Sequence, residues 1–146
     1  MQNYLLDACA LIAYSDRENG EPVVRELLRL AERGEVTISI HAANLIEVYY
    51  DRIRAVGSEK ADNYIQNIYD SSSVTVIDTL NPAAVREAAY FKSVGKMSFA
   101  DSILVATARC IGATVVTSDH AELEPVEQQG LVPFLWIRPK RGDGEF

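Results

Sequence analysis

Four acidic residues stand where alternating strands and helices would bring carboxylates together. Asp7 and Asp119 each follow a short strand-like apolar run, whereas Glu47 and Asp101 lie in segments with helical spacing. Three or four converging carboxylates hold Mg²⁺ or Mn²⁺ with several waters in near-octahedral geometry. A metal held in this way lowers the pKa of a bound water and neutralises charge on a phosphodiester. The pattern therefore indicates metal-assisted hydrolysis.

Each acid also has a purely structural interpretation. Asp7 can cap a short helix, and Asp119 can cap a turn at residues 120–123, because aspartate is a favoured N-cap residue. Asp101 fits a capping box with Ser98. Glu47 lies off the main apolar stripe of its helix, which is typical of a solvated charge.

Asp101 fits the structural interpretation least well. Its segment is apolar on almost every side from Ile103 to Ile111, which predicts a largely buried helix. A buried carboxylate needs a partner, because uncompensated burial of charge is costly. No lysine or arginine stands one helical turn away. A metal ion is one partner that would stabilise several converging carboxylates together.

The composition excludes several classes of protein. The chain has 146 residues, 48% of them hydrophobic, which suits one domain with a sizeable core. A formal charge of -7, from 14 basic and 21 acidic residues, argues against a protein whose whole surface binds phosphate backbones by charge. We find no signal-peptide pattern, no membrane-spanning apolar run, and only two cysteines without metal-ligand spacing. We therefore expect a protein of the reducing cytoplasm that does not enter a membrane.

The elements that must position the acids alternate along the chain. Helical patterns separate the apolar runs, which favours parallel pairing with right-handed crossovers. We predict an α/β fold, a three-layer α/β/α domain over residues 1–138 with a parallel central sheet of about five strands, and a mobile tail over 139–146. The predicted strands are Tyr4–Leu6, Val36–Ile40, Val74–Ile77, Thr114–Thr117 and Phe134–Ile137. The predicted helices occupy residues 8–14, 22–34, 42–57, 58–71, 82–94 and 98–112.

Four sequence segments occur in an order and context that match a known family. They are YLLDACALIAY with Asp7, NLIEVYY with Glu47, SFADSILVATA with Asp101, and VVTSDHAELEPV with Asp119. On these segments the chain resembles the PIN-domain family of small metal-dependent nucleases. Many prokaryotic members of that family are VapC-type toxins of type II toxin–antitoxin modules. The resemblance extends from about Tyr4 to Ile137.

The resemblance implies a parallel sheet with the four acids at its carboxyl-end cleft, as catalytic and metal-binding residues. Asp7, Asp101 and Asp119 would bind Mg²⁺ or Mn²⁺ directly or through water, and Glu47 would hold a metal or orient the attacking water. The implied reaction is hydrolysis of RNA phosphodiester bonds. The implied partners are an RNA substrate, a cognate antitoxin and a second copy of the chain.

The sequence departs from the family pattern just after Asp7. Many members carry hydroxyl residues there, whereas this chain has Ala8 and Cys9. A hydrogen bond at the metal site is therefore in question, and Ser118 is a nearby alternative hydroxyl. We expect Cys9 to be a small packed residue.

Other interpretations remain open. One is a PIN-like module that has lost catalysis and acts through protein contacts. Another is a phosphotransfer domain with Asp7 as nucleophile, although such enzymes typically have a second acid at the position of Cys9.

Tyrosines recur between residues 42 and 71, which indicates packing or a dimer or antitoxin surface. The basic residues Arg138, Lys140 and Arg141 either contact RNA or keep the protein soluble.

Overall fold

The computed structural model describes residues 1–140, so the last six positions of the predicted tail lie outside the described residues. Five parallel strands form one sheet in the order β3-β2-β1-β4-β5. The strands are β1 (Gln2–Leu6), β2 (Val36–His41), β3 (Thr75–Ile77), β4 (Thr114–Thr117) and β5 (Phe134–Trp136). The predicted parallel α/β architecture is confirmed, with strand bounds that differ by one or two residues.

Helices connect the strands and cover both faces of the sheet. They are α1 (Ala8–Ser15), α2 (Glu21–Glu32), α3 (Ala42–Val56), α4 (Ser58–Asp70), α5 (Pro82–Val94), α6 (Phe99–Ile111) and α7 (His120–Gln128). The last of them is longer than expected, because the predicted turn after Asp119 continues as a helix through Pro125. None of the helices in residues 1–140 is long and apolar enough to cross a membrane.

The central strand β1 separates two hydrophobic cores. Successive strand residues point to opposite faces of a sheet. Leu6 accordingly packs in the core formed with α1 to α4, whereas Leu5 packs in the core formed with α5, α6 and α7. Both leucines are fully buried. A strand that is apolar on both faces is typical of a parallel sheet covered by helices, and it fixes the central position of β1.

The carboxyl ends of β1 and β4 meet where the strand order reverses. The chain leaves β1 for β2 on one side, and β4 pairs with β1 on the other. Leu6 is in register with Val116, and the backbone N–H of Asp7 donates to the Val116 carbonyl at 3.1 Å. A crevice at such a reversal is the usual ligand site of an open α/β sheet.

Gly20 lies where the loop between α1 and α2 packs against the segment that follows β5. Gly20 has a φ of 102°, in the left-handed region that favours glycine. A Cβ atom at this position would lie 2.8 Å from the side chain of Ile137. Only a residue without a side chain allows both the backbone conformation and this close approach.

Candidate metal and catalytic site

The four acids predicted from the sequence line one pocket at the carboxyl edge of the sheet. The pocket has a volume of about 230 Å³. Asp7 stands at the end of β1, Asp119 lies just after β4, and Glu47 and Asp101 come from α3 and α6. The remaining lining residues are Ala8, Cys9, Asn44, Ser98 and Glu122. The fold therefore brings together side chains that are as far apart as residues 7 and 119.

Asp7 is buried and serves two purposes at once. Its Oδ1 accepts a hydrogen bond from the backbone N–H of Ala10 at 2.8 Å, which caps α1. Its Oδ2 accepts a hydrogen bond from the hydroxyl of Thr117. Burial nevertheless raises the pKa of Asp7 to about 7, and the nearby Asp119 and Glu47 add to the effect. Capping and membership of the pocket are thus compatible roles.

The expected capping box at α6 is only half formed. The Ser98 hydroxyl caps the helix by accepting from the Asp101 backbone N–H at 3.1 Å. In a complete box the Asp101 carboxylate would accept from the Ser98 N–H. That N–H donates instead to Oε2 of Glu122 at 3.2 Å. This arrangement leaves the Asp101 carboxyl available to the pocket.

Glu122 is an acid that the sequence analysis missed. One carboxylate oxygen from each of Asp101, Asp119 and Glu122 lies within 4.8 Å of the others. Burial and then the carboxyl–carboxyl contact with Glu122 raise the pKa of Asp101, whereas the same contact lowers the pKa of Glu122. The one clue in the sequence was that Glu122 stands three residues after Asp119. This spacing brings the two carboxylates together only when the segment is helical, as it is in α7. Within that helix the Glu122 backbone N–H donates to Oδ1 of Asp119 at 3.3 Å.

Thr117 supplies the hydroxyl that Ala8 and Cys9 lack. Its side chain is fully buried at the end of β4. Besides donating to Asp7, its oxygen accepts from the backbone N–H of Asp119 at 2.9 Å. Ser118, the alternative suggested by the sequence, is not hydrogen-bonded to any acid of the pocket among the described residues.

The wall contributed by α3 carries Glu47 and Asn44. Glu47 is exposed at the rim, where partial desolvation first, and then Glu122 and Asp119, raise its pKa. Asn44, one turn earlier, is buried, and its Nδ2 has no hydrogen-bond partner within residues 1–140. An amide group and an exposed carboxylate thus stand side by side along one wall.

The expectation that Cys9 is packed away is wrong. Cys9 is exposed and lines the pocket. Local desolvation and then the carboxylates, Asp7 first, raise the pKa of its thiol. A thiol kept neutral in this way is a poor metal ligand, because the thiolate is the ligating form.

The donor set suits a hard divalent cation. Asp7, Glu47, Asp101, Asp119 and Glu122 line the pocket, and no lysine or arginine is among its lining residues. Oxygen ligands of this kind suit Mg²⁺ and Mn²⁺. Burial first, and then the neighbouring carboxylates, raise the pKa of both Asp7 and Asp101, so their ionised forms lack a compensating charge in the pocket. A bound cation would supply the missing compensation, so these residues fit a divalent metal.

Comparisons with known proteins point to one family. The family model described as the PIN domain matches residues 4–124. VapBC2 from Rickettsia felis, solved with a promoter DNA fragment, is 16% identical at a TM-score of 0.70, over 92% of this chain and 98% of that one. VapC20 of Mycobacterium tuberculosis, described as a sarcin–ricin-loop-cleaving toxin, is 16% identical at a TM-score of 0.67, over 88% and 96%. FitAcB from Neisseria gonorrhoeae is 16% identical at a TM-score of 0.64, over 92% and 97%.

Curated protein sequences give no match. The solved structures share little sequence with this chain, so their likeness concerns the fold. The family match is broader evidence, because it spans most of the chain and includes the segments with Asp7, Glu47, Asp101 and Asp119. By this match, the chain belongs to the PIN domain family.

Proposed function

We propose that this protein is an Mg²⁺- or Mn²⁺-dependent endoribonuclease and the toxin of a toxin–antitoxin pair. The observation that carries the proposal is the convergence of Asp7, Glu47, Asp101 and Asp119 in one small pocket. RNA is the proposed substrate because the chain resembles VapC-type ribonucleases at these acids. VapC20 of Mycobacterium tuberculosis, which has a similar fold, is a sarcin–ricin-loop-cleaving toxin, in agreement with that choice.

In this proposal Asp7, Asp101 and Asp119 hold the metal, with Glu122 as an additional oxygen donor. When bound, the metal activates a water molecule and neutralises charge on the scissile phosphodiester. Glu47, exposed at the rim, is placed to hold a metal or to orient the attacking water. Thr117 fixes the Asp7 carboxylate and keeps one of its oxygens hydrogen-bonded. The buried wall behind these groups limits the access of bulk water to Asp7.

The test is cleavage of a panel of RNAs in Mg²⁺ or Mn²⁺. Asp7→Asn and Asp101→Asn should each abolish cleavage while thermal unfolding shows that the fold survives. Asp62→Asn is the matched control, because Asp62 is an exposed aspartate on α4. Full activity of the Asp7 or Asp101 variants, or cleavage that persists in excess EDTA, contradicts the proposal.

The alternative is a PIN-like protein-binding module with weakened catalysis. The Ala8 and Cys9 departure favours it, whereas the Thr117 hydroxyl and the presence of all four family acids oppose it. Calorimetric titration with Mn²⁺ separates the two. A nuclease should bind Mn²⁺ in a manner that depends on Asp7, and a module without a working site should not.

The proposed partners are a cognate antitoxin and a second copy of the chain. A solved structure from Klebsiella pneumoniae with a similar fold is a toxin–antitoxin complex, which motivates this proposal. Ile46, Tyr50 and Ile53 recur at the spacing of one helix face on α3 and are 68%, 60% and 41% exposed. Exposed apolar side chains in one row are typical of a protein interface.

Sedimentation of the purified chain tests the second copy. The unaltered protein should sediment as a dimer, and Ile46→Asp should shift it towards the monomer. Val85→Asp is the control, because Val85 is similarly exposed on α5. We further assign the nuclease domain to residues 1–138 and the protein to the cytoplasm, where its RNA substrate would be.

A further inference from the structure

A second groove adjoins the acidic pocket and has a different charge. Its volume is about 580 Å³, and Asp119 lines both cavities. The new groove is lined by residues of three segments: the loop before α2, the turn before α7, and the chain after β5. Its polar lining residues include Asn19, Ser118, His120, Arg138 and Lys140. A ligand that extends out of the acidic pocket past Asp119 would enter this groove.

Strand register places Arg138 beside Asp119. Thr117 and Trp136 are partners in the β4–β5 ladder, and the Ile137 N–H donates to the Thr117 carbonyl at 3.0 Å. Asp119 and Arg138 each stand two residues beyond this pair. Parallel strands end at the same edge of a sheet, so both residues lie at the carboxyl edge where the pocket opens.

The segment that carries Arg138 is fixed by His120. The His120 ring stacks on Trp136 with centroids 4.0 Å apart, and its Nε2 is hydrogen-bonded to the Arg138 carbonyl at 2.9 Å. The His120 Nδ1 contacts Glu124 at 2.8 Å. With both ring nitrogens engaged, His120 acts as a brace for the groove. A positioned arginine loses less conformational freedom when it binds a ligand.

The guanidinium of Arg138 is available for an anionic ligand. It donates to the Asn19 carbonyl at 3.3 Å, and none of the ion pairs among residues 1–140 includes it. The nearby carboxylate of Glu124 is already paired with His120, and lies 3.7 Å from Lys140. Arg138 and Lys140, the latter in an ion pair with Glu124, therefore border the groove, immediately beside a pocket whose charged lining residues are all acids.

We propose that this groove binds the sugar–phosphate backbone of the RNA strand next to the scissile bond, with Arg138 contacting a phosphate and Lys140 adding charge. The proposal rests on the proposed function. The planar guanidinium of arginine matches the oxygens of a phosphate, which makes arginine well suited to this contact. Anchoring a neighbouring phosphate would hold a negatively charged strand against an acidic face that otherwise repels it.

The test measures binding of a fluorescein-labelled single-stranded RNA oligonucleotide of mixed sequence in Mg²⁺ buffer, by fluorescence anisotropy. Every protein carries Asp7→Asn, so that nothing is cleaved. Arg138→Gln should weaken binding on the order of tenfold, the usual scale for one charge-assisted contact. It should also reduce the slope of log K against log salt by about 0.7, the contribution of one phosphate on a single strand. Arg138→Lys should restore most of the slope.

Replacing the phosphates of the RNA one at a time then locates the contact. In a series of RNAs, one linkage at a time is replaced by an uncharged methylphosphonate. One replacement should weaken binding to the parent protein and leave binding to the Arg138→Gln variant unchanged. The control is Arg33→Gln, at an exposed arginine beyond the end of α2, which should bind as the parent does.

The outcomes separate the two proposals. If the otherwise unaltered chain cleaves RNA, but Arg138→Gln has the parent's affinity, salt slope and response to every methylphosphonate, the groove proposal fails and the nuclease proposal stands. If the Asp7→Asn parent binds no RNA while the otherwise unaltered chain cleaves it, only the groove proposal is overturned; if the unaltered chain neither cleaves nor binds RNA, both are overturned. In the cleavage assay Arg138→Gln should raise KM with little change in kcat, whereas general damage to the fold would lower kcat and the melting temperature.

Discussion

Thr117 is hydrogen-bonded to both of the acids that follow strands β1 and β4, Asp7 and Asp119. Its hydroxyl donates to Oδ2 of Asp7 and accepts from the backbone N–H of Asp119, so one buried side chain fixes the carboxylate of one acid and the backbone of the other. The register of β1 and β4 makes this possible, because it aligns Leu6, the last residue of β1, with Val116, so that the residues that follow them, Asp7 and Thr117, are neighbours. The sheet itself therefore orients the deepest part of the pocket.

We expect Thr117→Val to weaken metal binding while keeping the shape of the side chain. The substitution leaves Asp7 with one hydrogen-bond donor fewer and removes the acceptor of the Asp119 backbone N–H. Losses of supporting hydrogen bonds typically reduce metal affinity by about 10- to 100-fold. Thr117→Ser, which retains the hydroxyl, is the matched control. Mn²⁺ titration calorimetry measures both variants, and equal affinities for Val and Ser would contradict this account.

The metal-free protein should lose stability as the pH rises. Asp7 has a pKa of about 7 in the folded chain, against 3.8 for a free aspartate. The folded state therefore binds more protons than the unfolded state between these values, so the free energy of unfolding falls with increasing pH. The fall from this group has an upper limit of about 4 kcal/mol. Urea unfolding in EDTA at about pH 5 and about pH 8, compared between the unaltered chain and Asp7→Asn, measures the share of Asp7, since Asp101 also has a raised pKa and adds a fall of the same sign.

Two changes should reduce that pH dependence. Asp7→Asn removes the titrating group, and a bound divalent metal favours the ionised carboxylate. Asp62→Asn should retain the full slope, since Asp62 is exposed. A slope that is the same in all three proteins, and unaffected by Mg²⁺, would show that burial of Asp7 does not control stability.

Glu122→Gln tests whether the missed acid belongs to the site. The change removes one of three carboxylates whose oxygens lie within 4.8 Å of one another. We expect Mn²⁺ affinity to fall by about tenfold or more, together with the number of protons released on binding. Glu59→Gln on α4 provides the control, because Glu59 is exposed and does not line the pocket. Unchanged affinity and proton release would exclude Glu122 from the metal site.

The acids and strands could be predicted because each has a strong local signal. Short β-branched runs such as residues 36–40 form buried parallel strands, and the acids follow two of these runs directly. For Asp7 and Asp119 the capping interpretation does not exclude the functional one, because each cap hydrogen bond engages one carboxylate oxygen and the acid still lines the pocket. A sequence pattern alone treats them as competing interpretations.

The missed residues have weak local signals. In the sequence Thr117 is an ordinary strand residue, and its function depends on an interaction with Asp7, which is 110 positions away. Glu122 lies in a segment with Pro125, and proline disfavours helical backbone in the residue before it. The sequence therefore suggested a short turn, whereas packing of the buried Leu123 and Val126 extends the helix past the proline. Both omissions involve tertiary contacts.

Gly20→Ala should loosen the phosphate groove. The new Cβ would meet Ile137 at 2.8 Å, in a backbone conformation with φ of 102°. Left-handed backbone costs a non-glycine residue about 1–2 kcal/mol, and overpacking typically adds about 1–3 kcal/mol. Gly34→Ala is the control, because Gly34 has a φ of 73° but no atom within 4 Å of an added Cβ. Gly34→Ala therefore measures the cost of the left-handed backbone conformation without any added steric contact.

We therefore expect Gly20→Ala to lower the melting temperature more than Gly34→Ala and to raise KM for RNA. The reason is that Asn19, next to Gly20, accepts the Arg138 hydrogen bond, so displacement of this loop also releases the guanidinium. Gly34→Ala should change stability but leave KM unchanged. Equal effects of the two substitutions on both measurements would show that the contact between Gly20 and Ile137 does not shape the groove.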